Sequence, residues 1–342
     1  MKAVDLFAGG GGVSCGLLKG GISHIDAIEY NPKHPELSKQ FAEIHHRNFG
    51  DRSKLHLKTI QSMAANNFSG IEPNPYLIWA SPVCTEFSVA KAKTMGQKET
   101  KTDIEMAIAV SEAITKLQPK YFCLENVVAY GDPRHKSLQI IYRTLDLMGY
   151  DYQPCRVNFS DYGIPQDRER FILLAWAEGE ARLRLPPQQR SPSWYLAVKD
   201  KTNFLQEIKL TKRQLESFEP KLKELQGSYL IQRVGSSPKL ICRHQSQSVW
   251  TITKYQFIDN KSNGRGKVIT LFNWPTQKFY TLPVSIIKRF CGFPEHYWLP
   301  NNPAIAGSAI GLAVPPLFVA NLVKFHLTKV DNEVESQKAY GG

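Results

Sequence analysis

The chain has 342 residues, of which 42% are hydrophobic and 22% charged, and these proportions exclude a disordered or fibrous protein. The length is enough to bury one large core or to form two domains. Lys and Arg total 43 against 31 Asp and Glu, so the net charge of +12 favours a polyanionic partner.

The N-terminus and the cysteines indicate the compartment. Residues 2–7 read as a strand with Asp5 inside it and lack the apolar core of a secretory signal, and no stretch approaches the length of a membrane span. The six cysteines form no CxxC or other close pair, so neither a metal site nor a disulfide framework is indicated. We therefore expect a cytoplasmic protein with free thiols and no membrane partner.

The first half of the chain alternates short apolar strands with amphipathic helices. The predicted strands are residues 4–7, 24–29, 76–80, 121–124, 152–157 and 170–176. The predicted helices are residues 13–19, 35–44, 104–117 and 137–148. This alternation predicts an α/β fold with a mostly parallel sheet, in which ligands bind beyond the carboxyl ends of the strands.

From about residue 178 the pattern loosens, and Pro and Gly pairs interrupt it. Residues 182–267 contain 17 Lys and Arg against six Asp and Glu, with aromatic residues interleaved. Such a segment is either a solubilising surface or a nucleic-acid-binding domain. Helical patterns return at residues 284–290 and 317–327. The predicted organisation is therefore a first domain over 1–177, a smaller basic domain over 178–275, a return to the first domain over 276–330, and a flexible tail over 331–342.

A glycine-rich turn follows the first strand, at residues 8–12. Glycine lets the backbone approach a ligand closely, and the N-terminus of the next helix lies nearby. The next strand ends in Glu29, which is placed to accept hydrogen bonds from ribose hydroxyls, and Asp51 could accept one from an adenine amino group. The alternatives are a tight turn that binds nothing and two acids on the surface.

Three further groups follow or cap predicted strands. They are the thiol of Cys84, the carboxylate of Glu125 and the guanidiniums of Arg168 and Arg170. Together they can add a nucleophile to a pyrimidine ring and hold the activated base while a methyl group arrives. Taken singly, each has a structural alternative: a small buried hydrophobe, a strand-end cap, or ion pairs along a strand edge. With the glycine-rich turn, these groups occupy four strand ends, and this joint occurrence favours the catalytic interpretation.

Six motifs occur in one order along the chain. They are residues 5–12, Cys84 with Phe87 and Ser88, residues 125–127, 163–170, 280–294 and 311–316. In this order the chain resembles the bacterial-type cytosine-C5 DNA methyltransferases, from residue 5 to about residue 327. The first four motifs match the AdoMet-binding opening motif, the nucleophile loop, the ENV motif and the QxRxR motif of that family.

The resemblance implies a Rossmann-like AdoMet-dependent methyltransferase domain with a target-recognition domain over 178–275. It implies that Cys84 adds to C6 of cytosine, that Glu125 bonds N3 and the exocyclic amine, and that Arg168 and Arg170 hold the base and its phosphate. S-adenosylmethionine (AdoMet) would place its adenine against Phe7 and its ribose on Glu29. The implied cofactor contacts are Phe7, Ala8, Gly9, Gly11, Gly12, Glu29, Asp51, Val83 and Leu312.

The sequence departs from the family pattern at three positions. The family usually has Pro before the cysteine and Gln after it, where this chain has Val83 and Thr85, and it usually has Asn where this chain has Leu312. We expect a monomer that methylates a flipped cytosine in a specific duplex DNA sequence, either beside a separate restriction endonuclease or as an orphan methylase. The alternatives are a degenerate paralogue that binds DNA or AdoMet without turnover, and an RNA cytosine-C5 methyltransferase.

Overall fold

The chain divides into two compact units. The computed structural model describes residues 1–83, 99–234, 237–257 and 267–340. Unit 1 comprises Met1–Asn158, Glu169–Pro187 and Pro316–Gly342, and unit 2 comprises Phe159–Arg168 and Gln188–Pro315. These boundaries differ from the predicted ones, because unit 2 also contains residues 159–168 and 276–315, while residues 178–187 belong to unit 1.

The strands and helices alternate through the first half of the chain. In chain order they are β1 (Lys2–Leu6), α1 (Gly12–Gly20), β2 (His24–Ile28), α2 (Pro35–Phe49), β3 (Ser53–His56), α3 (Ile60–Ala65), β4 (Leu77–Ala80), α4 (Lys101–Leu117), β5 (Tyr121–Asn126), α5 (Lys136–Leu147), β6 (Tyr150–Asn158), β7 (Glu169–Ala177), β8 (Glu207–Ile208), α6 (Lys212–Glu224), β9 (Tyr229–Val234), β10 (Ile241–His244), β11 (Lys267–Asn273), β12 (Lys278–Thr281), α7 (Val284–Phe290), α8 (Pro303–Leu312) and α9 (Pro316–Tyr340). The sequence patterns missed β3 and α3.

Unit 1 is built on a seven-stranded sheet with the order β3-β2-β1-β4-β5-β7-β6. Strands β1 to β5 pair in parallel, and β7 is antiparallel to both of its neighbours. The prediction of a mostly parallel α/β sheet is therefore confirmed. Because β7 runs backwards, its first residues lie beside the last residues of β5: Phe171 pairs with Asn126 and Ile172 with Glu125.

The central strands of this sheet are covered on both faces. Every residue of β4 and β5 is buried, which explains why their sequences are continuous apolar runs up to the strand ends. On one face the strands pack against α3, α4 and α5 in a single cluster, which includes Val4, Leu6, Ile78, Leu124, Met63, Val110, Ile114 and Ile141. A sheet packed this tightly holds the ends of its strands in fixed positions.

Helix α1 packs closely against the last helix, α9. A Cβ atom at Gly16 would lie 2.5 Å from Val319 Cβ, and one at Gly20 would lie 2.7 Å from Val323 Cβ. Glycine at these two positions therefore lets the helix backbones approach each other. This contact fixes the helix that begins at the glycine-rich turn.

Unit 2 contains a five-stranded sheet with the order β10-β9-β11-β12-β8, in which all pairs are antiparallel. Helix α6 begins with a capping box formed by Thr211 and Gln214. It packs Phe218 against Tyr229, Ile231 and Phe272 of the sheet. Unit 2 therefore has an antiparallel sheet with its own small core.

The C-terminal region is more helical than the sequence patterns predicted. Within the described residues, Pro303–Val330 is long and apolar enough to cross a membrane, but 72% of its most apolar window is buried inside the protein. It is two helices, α8 and α9, separated at Ala313–Pro315. The predicted flexible tail is helical in its backbone as far as Tyr340, because Glu, Gln, Lys and Ala continue the helix and the first Gly comes at position 341.

Candidate functional site

The turn after β1 has an unusual backbone. Phe7, Gly9 and Gly11 have positive φ angles of 64°, 52° and 79°. Such angles suit glycine, and for Phe7 they indicate a strained conformation that the surrounding structure maintains. Among the described residues, a Cβ at Gly9 would meet one atom, the Phe7 carbonyl oxygen at 4.0 Å, so these residues leave the space beside the turn open. Gly11 is the N-cap of α1, whose first N–H groups are directed toward the turn.

Two acids support the turn. Asp5 Oδ2 accepts hydrogen bonds from Ser14 N and Ser14 Oγ at 3.0 and 2.6 Å, and its other oxygen has no partner among the described residues. Burial raises the pKa of Asp5 to about 7, although the bonds from Ser14 oppose this shift. Glu29 Oε2 accepts the Gly9 N–H at 3.0 Å, and Oε1 accepts the Ser38 hydroxyl at 3.3 Å. Burial also raises the pKa of Glu29.

His45 is a residue of this region that the sequence patterns missed. It lies on α2, is 2% exposed, and packs edge-on against the Phe49 ring with 5.1 Å between the ring centroids. Burial lowers the pKa of His45 to about 4, while the neighbouring backbone of Gly9 and Ala8 acts in the opposite direction. The sequence did carry one sign that His45 is buried, because it lies on the apolar stripe of an amphipathic helix.

Asp51 requires a correction. It lies in the short 3₁₀ segment Gly50–Arg52, which precedes β3, and β3 runs parallel to β2 with Ile28 paired to His56. Asp51 is therefore exposed at the amino edge of the sheet, opposite the edge that holds Glu29. The residue that ends β3 beside Glu29 is His56, whose carbonyl accepts the Glu29 N–H at 3.2 Å. The prediction failed because β3 was not recognised in the sequence.

Glu125 and Arg170 form a buried ion pair where β5 ends and β7 begins. Arg170 Nε lies 2.8 Å from Glu125 Oε1, and the two side chains are only 15% and 9% exposed. Arg170 Nη1 also donates to the Glu169 carbonyl at 2.7 Å. In such a site an ion pair is screened little by water, so the guanidinium fixes the carboxylate in one orientation. The structure thus brings together two of the predicted catalytic residues.

The segment that carries the predicted nucleophile begins at the same edge. Asn126 Nδ2 donates to the Pro82 carbonyl at 3.2 Å, and Asn126 Oδ1 accepts the Val127 N–H at 2.8 Å. Val83 follows and is 47% exposed. Cys84 itself lies outside the described residues, as do Thr85 and its neighbours to residue 98.

Arg168 and Leu312 both belong to unit 2. Arg168 is 4% exposed, and its Nη1 donates to the carbonyls of Ile252 and Gly311 at 3.1 and 3.3 Å. Nearby, Gln166 accepts the Ile252 N–H at 2.9 Å. This burial corrects the prediction that Arg168 holds the base: its guanidinium bonds the backbone of unit 2. Leu312 is 59% exposed at the end of α8.

Unit 1 has the fold of the Rossmann-like AdoMet-dependent methyltransferases. The methyltransferase EhMeth of Entamoeba histolytica superposes with a TM-score of 0.66 at 15% identity, covering 96% of this chain and 98% of that one. The Dnmt2 methyltransferase of S. pombe gives a TM-score of 0.58 at 16% identity, covering 96% and 99%. At identities this low, the structural likeness establishes the fold alone.

The chain belongs to the C-5 cytosine-specific DNA methylase family, whose model matches residues 1–327. It is 28% identical to the type II methyltransferase M.NgoBI of Neisseria gonorrhoeae over 52% of this chain and 51% of that protein. It is 25% identical to M.AplI of Arthrospira platensis over 97% and 87%. The chain spans about half the length of the first curated relatives it matches, and it spans 87% of the length of M.AplI. The motif-based resemblance is confirmed.

Enzymes of this family use AdoMet as the methyl donor, and the residues of unit 1 fit that cofactor. The open space beside Gly9 can admit a ligand, and the N-terminus of α1 favours an anionic group such as a carboxylate. Glu29, at the end of β2, presents carboxylate oxygens to hydroxyl donors. These features lie at the sheet edge that also holds Glu125 and Arg170.

Proposed function

We propose that this protein transfers a methyl group from AdoMet to C5 of cytosine in a specific duplex DNA sequence. The observation that supports this most directly is the buried pair of Glu125 and Arg170 at the sheet edge where the glycine turn lies. Family membership supports the reaction class, and the basic residues of 182–267 support a polyanionic substrate. Unit 2 would then bind the DNA.

Cys84 would act as the nucleophile. Its thiolate adds to C6 of the ring and forms a C6–S bond, which moves an electron pair to C5. AdoMet, when bound, would supply an electrophilic methyl group to that carbon, with S-adenosylhomocysteine as the leaving group. Removal of the C5 proton by a base then returns an electron pair to the ring, the C6–S bond breaks, and the thiolate is regenerated. The pyrimidine leaves with one hydrogen replaced by methyl.

Glu125 and Arg170 would stabilise the activated ring. Glu125 Oε1 is held by Arg170 Nε, so Oε2 is the oxygen directed to N3 and the exocyclic amine of cytosine. The addition of the thiolate places negative charge on the ring, which a proton passed from the carboxyl group of Glu125 to N3 would neutralise. The carboxylate left behind stays paired with Arg170 without having to reorganise during the reaction. Arg170 is therefore a positioning residue in this proposal.

The remaining assignments follow from the same reaction. The target ring is inaccessible inside a duplex, so the cytosine must flip out of the helix. The adenine of AdoMet would lie against Phe7 and its ribose on Glu29, with further contacts from Ala8, Gly9, Gly11, Gly12 and Val83, all of which belong to unit 1. We propose a cytoplasmic monomer that acts as a type II modification methylase with a separate endonuclease, or as an orphan methylase.

Transfer of labelled methyl groups from AdoMet to duplex DNA and to tRNA tests this proposal. We expect incorporation into DNA, located at a short cytosine-containing sequence by bisulfite sequencing of DNA from expressing cells. The Cys84→Ala variant should incorporate none. Incorporation into tRNA alone would move the activity to RNA, and binding of DNA without any incorporation would identify a degenerate paralogue.

A further inference from the structure

Ser38 is a buried polar residue near the start of α2, where it is only 1% exposed. Side chains on a helix lean toward its N-terminus, so a serine at this position can reach the chain that precedes the helix. That chain contains Glu29, which directly follows β2 and is partly exposed. Ser38 Oγ lies 3.3 Å from Glu29 Oε1. The hydroxyl therefore links α2 to the acid at the end of β2.

A second contact of the same hydroxyl sets the direction of this hydrogen bond. Ser38 Oγ accepts the Asn31 N–H at 2.8 Å. A hydroxyl has one hydrogen to donate, and an ionised carboxylate can only accept, so the hydrogen of Ser38 points to Glu29. The backbone of Asn31 thus orients the hydroxyl, and the hydroxyl orients the carboxylate.

The carboxylate of Glu29 is held through both of its oxygens. Oε2 accepts the Gly9 N–H at 3.0 Å, and Oε1 accepts the Ser38 hydroxyl. Burial raises the pKa of Glu29, and the bonds from Gly9 and Ser38 oppose this shift. Among the described residues each oxygen accepts one of these bonds, so each keeps a lone pair for a further donor. The carboxylate is therefore oriented and still able to bind hydroxyl groups.

The backbone of Glu29 is fixed as well. Its N–H donates to the His56 carbonyl at 3.2 Å, and the Ala8 N–H donates to the carbonyl of the preceding residue, Ile28, at 3.0 Å. The freedom that remains to Glu29 is rotation of its long side chain, which costs conformational entropy to restrict. Ser38 imposes part of that restriction before any ligand binds.

We propose that Ser38 is a positioning residue for AdoMet, which acts by holding the Glu29 carboxylate toward the ribose hydroxyls. Hydrogen bonds weaken steeply when donor and acceptor are misaligned, so two neighbouring hydroxyls need a carboxylate in one orientation. A carboxylate that is oriented in advance loses less freedom on binding, and the affinity is correspondingly higher. This inference rests on the proposed contact between Glu29 and the ribose.

The test is a double-mutant cycle of Ser38→Ala and Glu29→Ala, with AdoMet affinity measured by calorimetry on the full chain. The matched control is Ser111→Ala, which removes another buried serine hydroxyl, on α4, for which the described residues provide no partner. Melting temperatures without AdoMet measure the structural cost of each substitution. Methyl transfer assays give kcat and KM for AdoMet.

We expect Ser38→Ala to weaken AdoMet binding on the order of tenfold, the size of one hydrogen bond to a charged group. KM for AdoMet should rise by a similar factor, while kcat at saturating AdoMet stays unchanged. In the Glu29→Ala background the same substitution should have no further effect on affinity. Ser111→Ala should bind AdoMet like the wild type.

Wild-type AdoMet affinity in Ser38→Ala would overturn the proposal. So would an equal loss in both backgrounds, because Ser38 would then act through the fold and not through Glu29. If Glu29→Ala binds AdoMet normally, the ribose contact is wrong and the role of Ser38 falls with it. A wild type that binds AdoMet and methylates no DNA contradicts the proposed function alone, since the binding measurements decide the role of Ser38 without it.

Discussion

Arg168 and Arg170 are two residues apart in one sequence motif, yet they lie in different units and different surroundings. Arg170 is on β7 of unit 1 and pairs with Glu125 at 2.8 Å. Arg168 is in unit 2 and donates to the carbonyls of Ile252 and Gly311. The guanidinium of Arg170 therefore pairs with a carboxylate, whereas that of Arg168 donates to backbone oxygens.

The difference shows that one motif can serve two purposes when a unit boundary passes through it. Residues 159–168 belong to unit 2 and residues 169–187 to unit 1. Identical side chains on either side of that boundary should respond differently to mutation. Kinetics and unfolding of variants at the two arginines separate a catalytic from a structural loss.

The largest effect is expected at the Glu125 and Arg170 pair. Glu125→Gln and Arg170→Ala should each lower kcat by about 100-fold or more, because the oriented carboxylate is lost, while AdoMet affinity is retained. Arg170→Ala should also reduce the free energy of unfolding by about 3 kcal/mol, since it leaves a buried charge unpaired. Single-turnover kinetics, calorimetric AdoMet binding and denaturant unfolding measure these effects.

The control for this pair is Arg156→Ala. Arg156 pairs with Glu169 at 2.7 Å on the neighbouring strands, but its side chain is 66% exposed. Its loss should change the free energy of unfolding by less than about 1 kcal/mol and leave kcat unchanged. A Glu125→Gln variant with wild-type kcat would show that the carboxylate has no role in the reaction.

A smaller effect on catalysis is expected at Arg168. Arg168→Ala should lower the free energy of unfolding by about 2–3 kcal/mol, because two buried carbonyls lose a charged donor. DNA affinity should fall with the stability of unit 2, while AdoMet affinity stays at the wild-type value. Urea unfolding and binding titrations at fixed salt check this. If Arg168→Ala keeps its stability and loses kcat as strongly as Arg170→Ala, the contrast between the two arginines is wrong.

The smallest effect concerns pH and Asp5, beneath the glycine turn. Its folded pKa of about 7 lies above the unfolded value of about 3.9, so folding favours the protonated form. The stability contributed by this group is fully present below pH of about 4 and is lost as the pH rises through about 7. The destabilisation caused by Asp5→Asn should therefore be larger at pH 5 than at pH 8. Equal values at both pH values would show that Asp5 does not titrate in this range.

The sequence predicted the parallel sheet because its central strands are buried on both faces and read as apolar runs, as in Leu77–Ala80. It also predicted that Glu29, Glu125 and Arg170 end or begin strands at one edge. It missed β3, whose four residues carry only partly buried or exposed side chains, and Asp51 was misplaced as a result. The contacts of Arg168 could not be predicted because they join residues 84 or more positions apart through backbone carbonyls, which every residue type has.

Covalent capture tests the central claim most directly. A duplex with 5-fluorocytosine at the target position blocks loss of the group at C5, so the enzyme should stay attached to the DNA when AdoMet is present. We predict a denaturation-resistant complex whose linkage maps to Cys84 by peptide mass spectrometry, and none with Cys84→Ala. A complex that forms equally well with Cys84→Ala, or a wild-type protein that methylates DNA without forming one, would contradict the account.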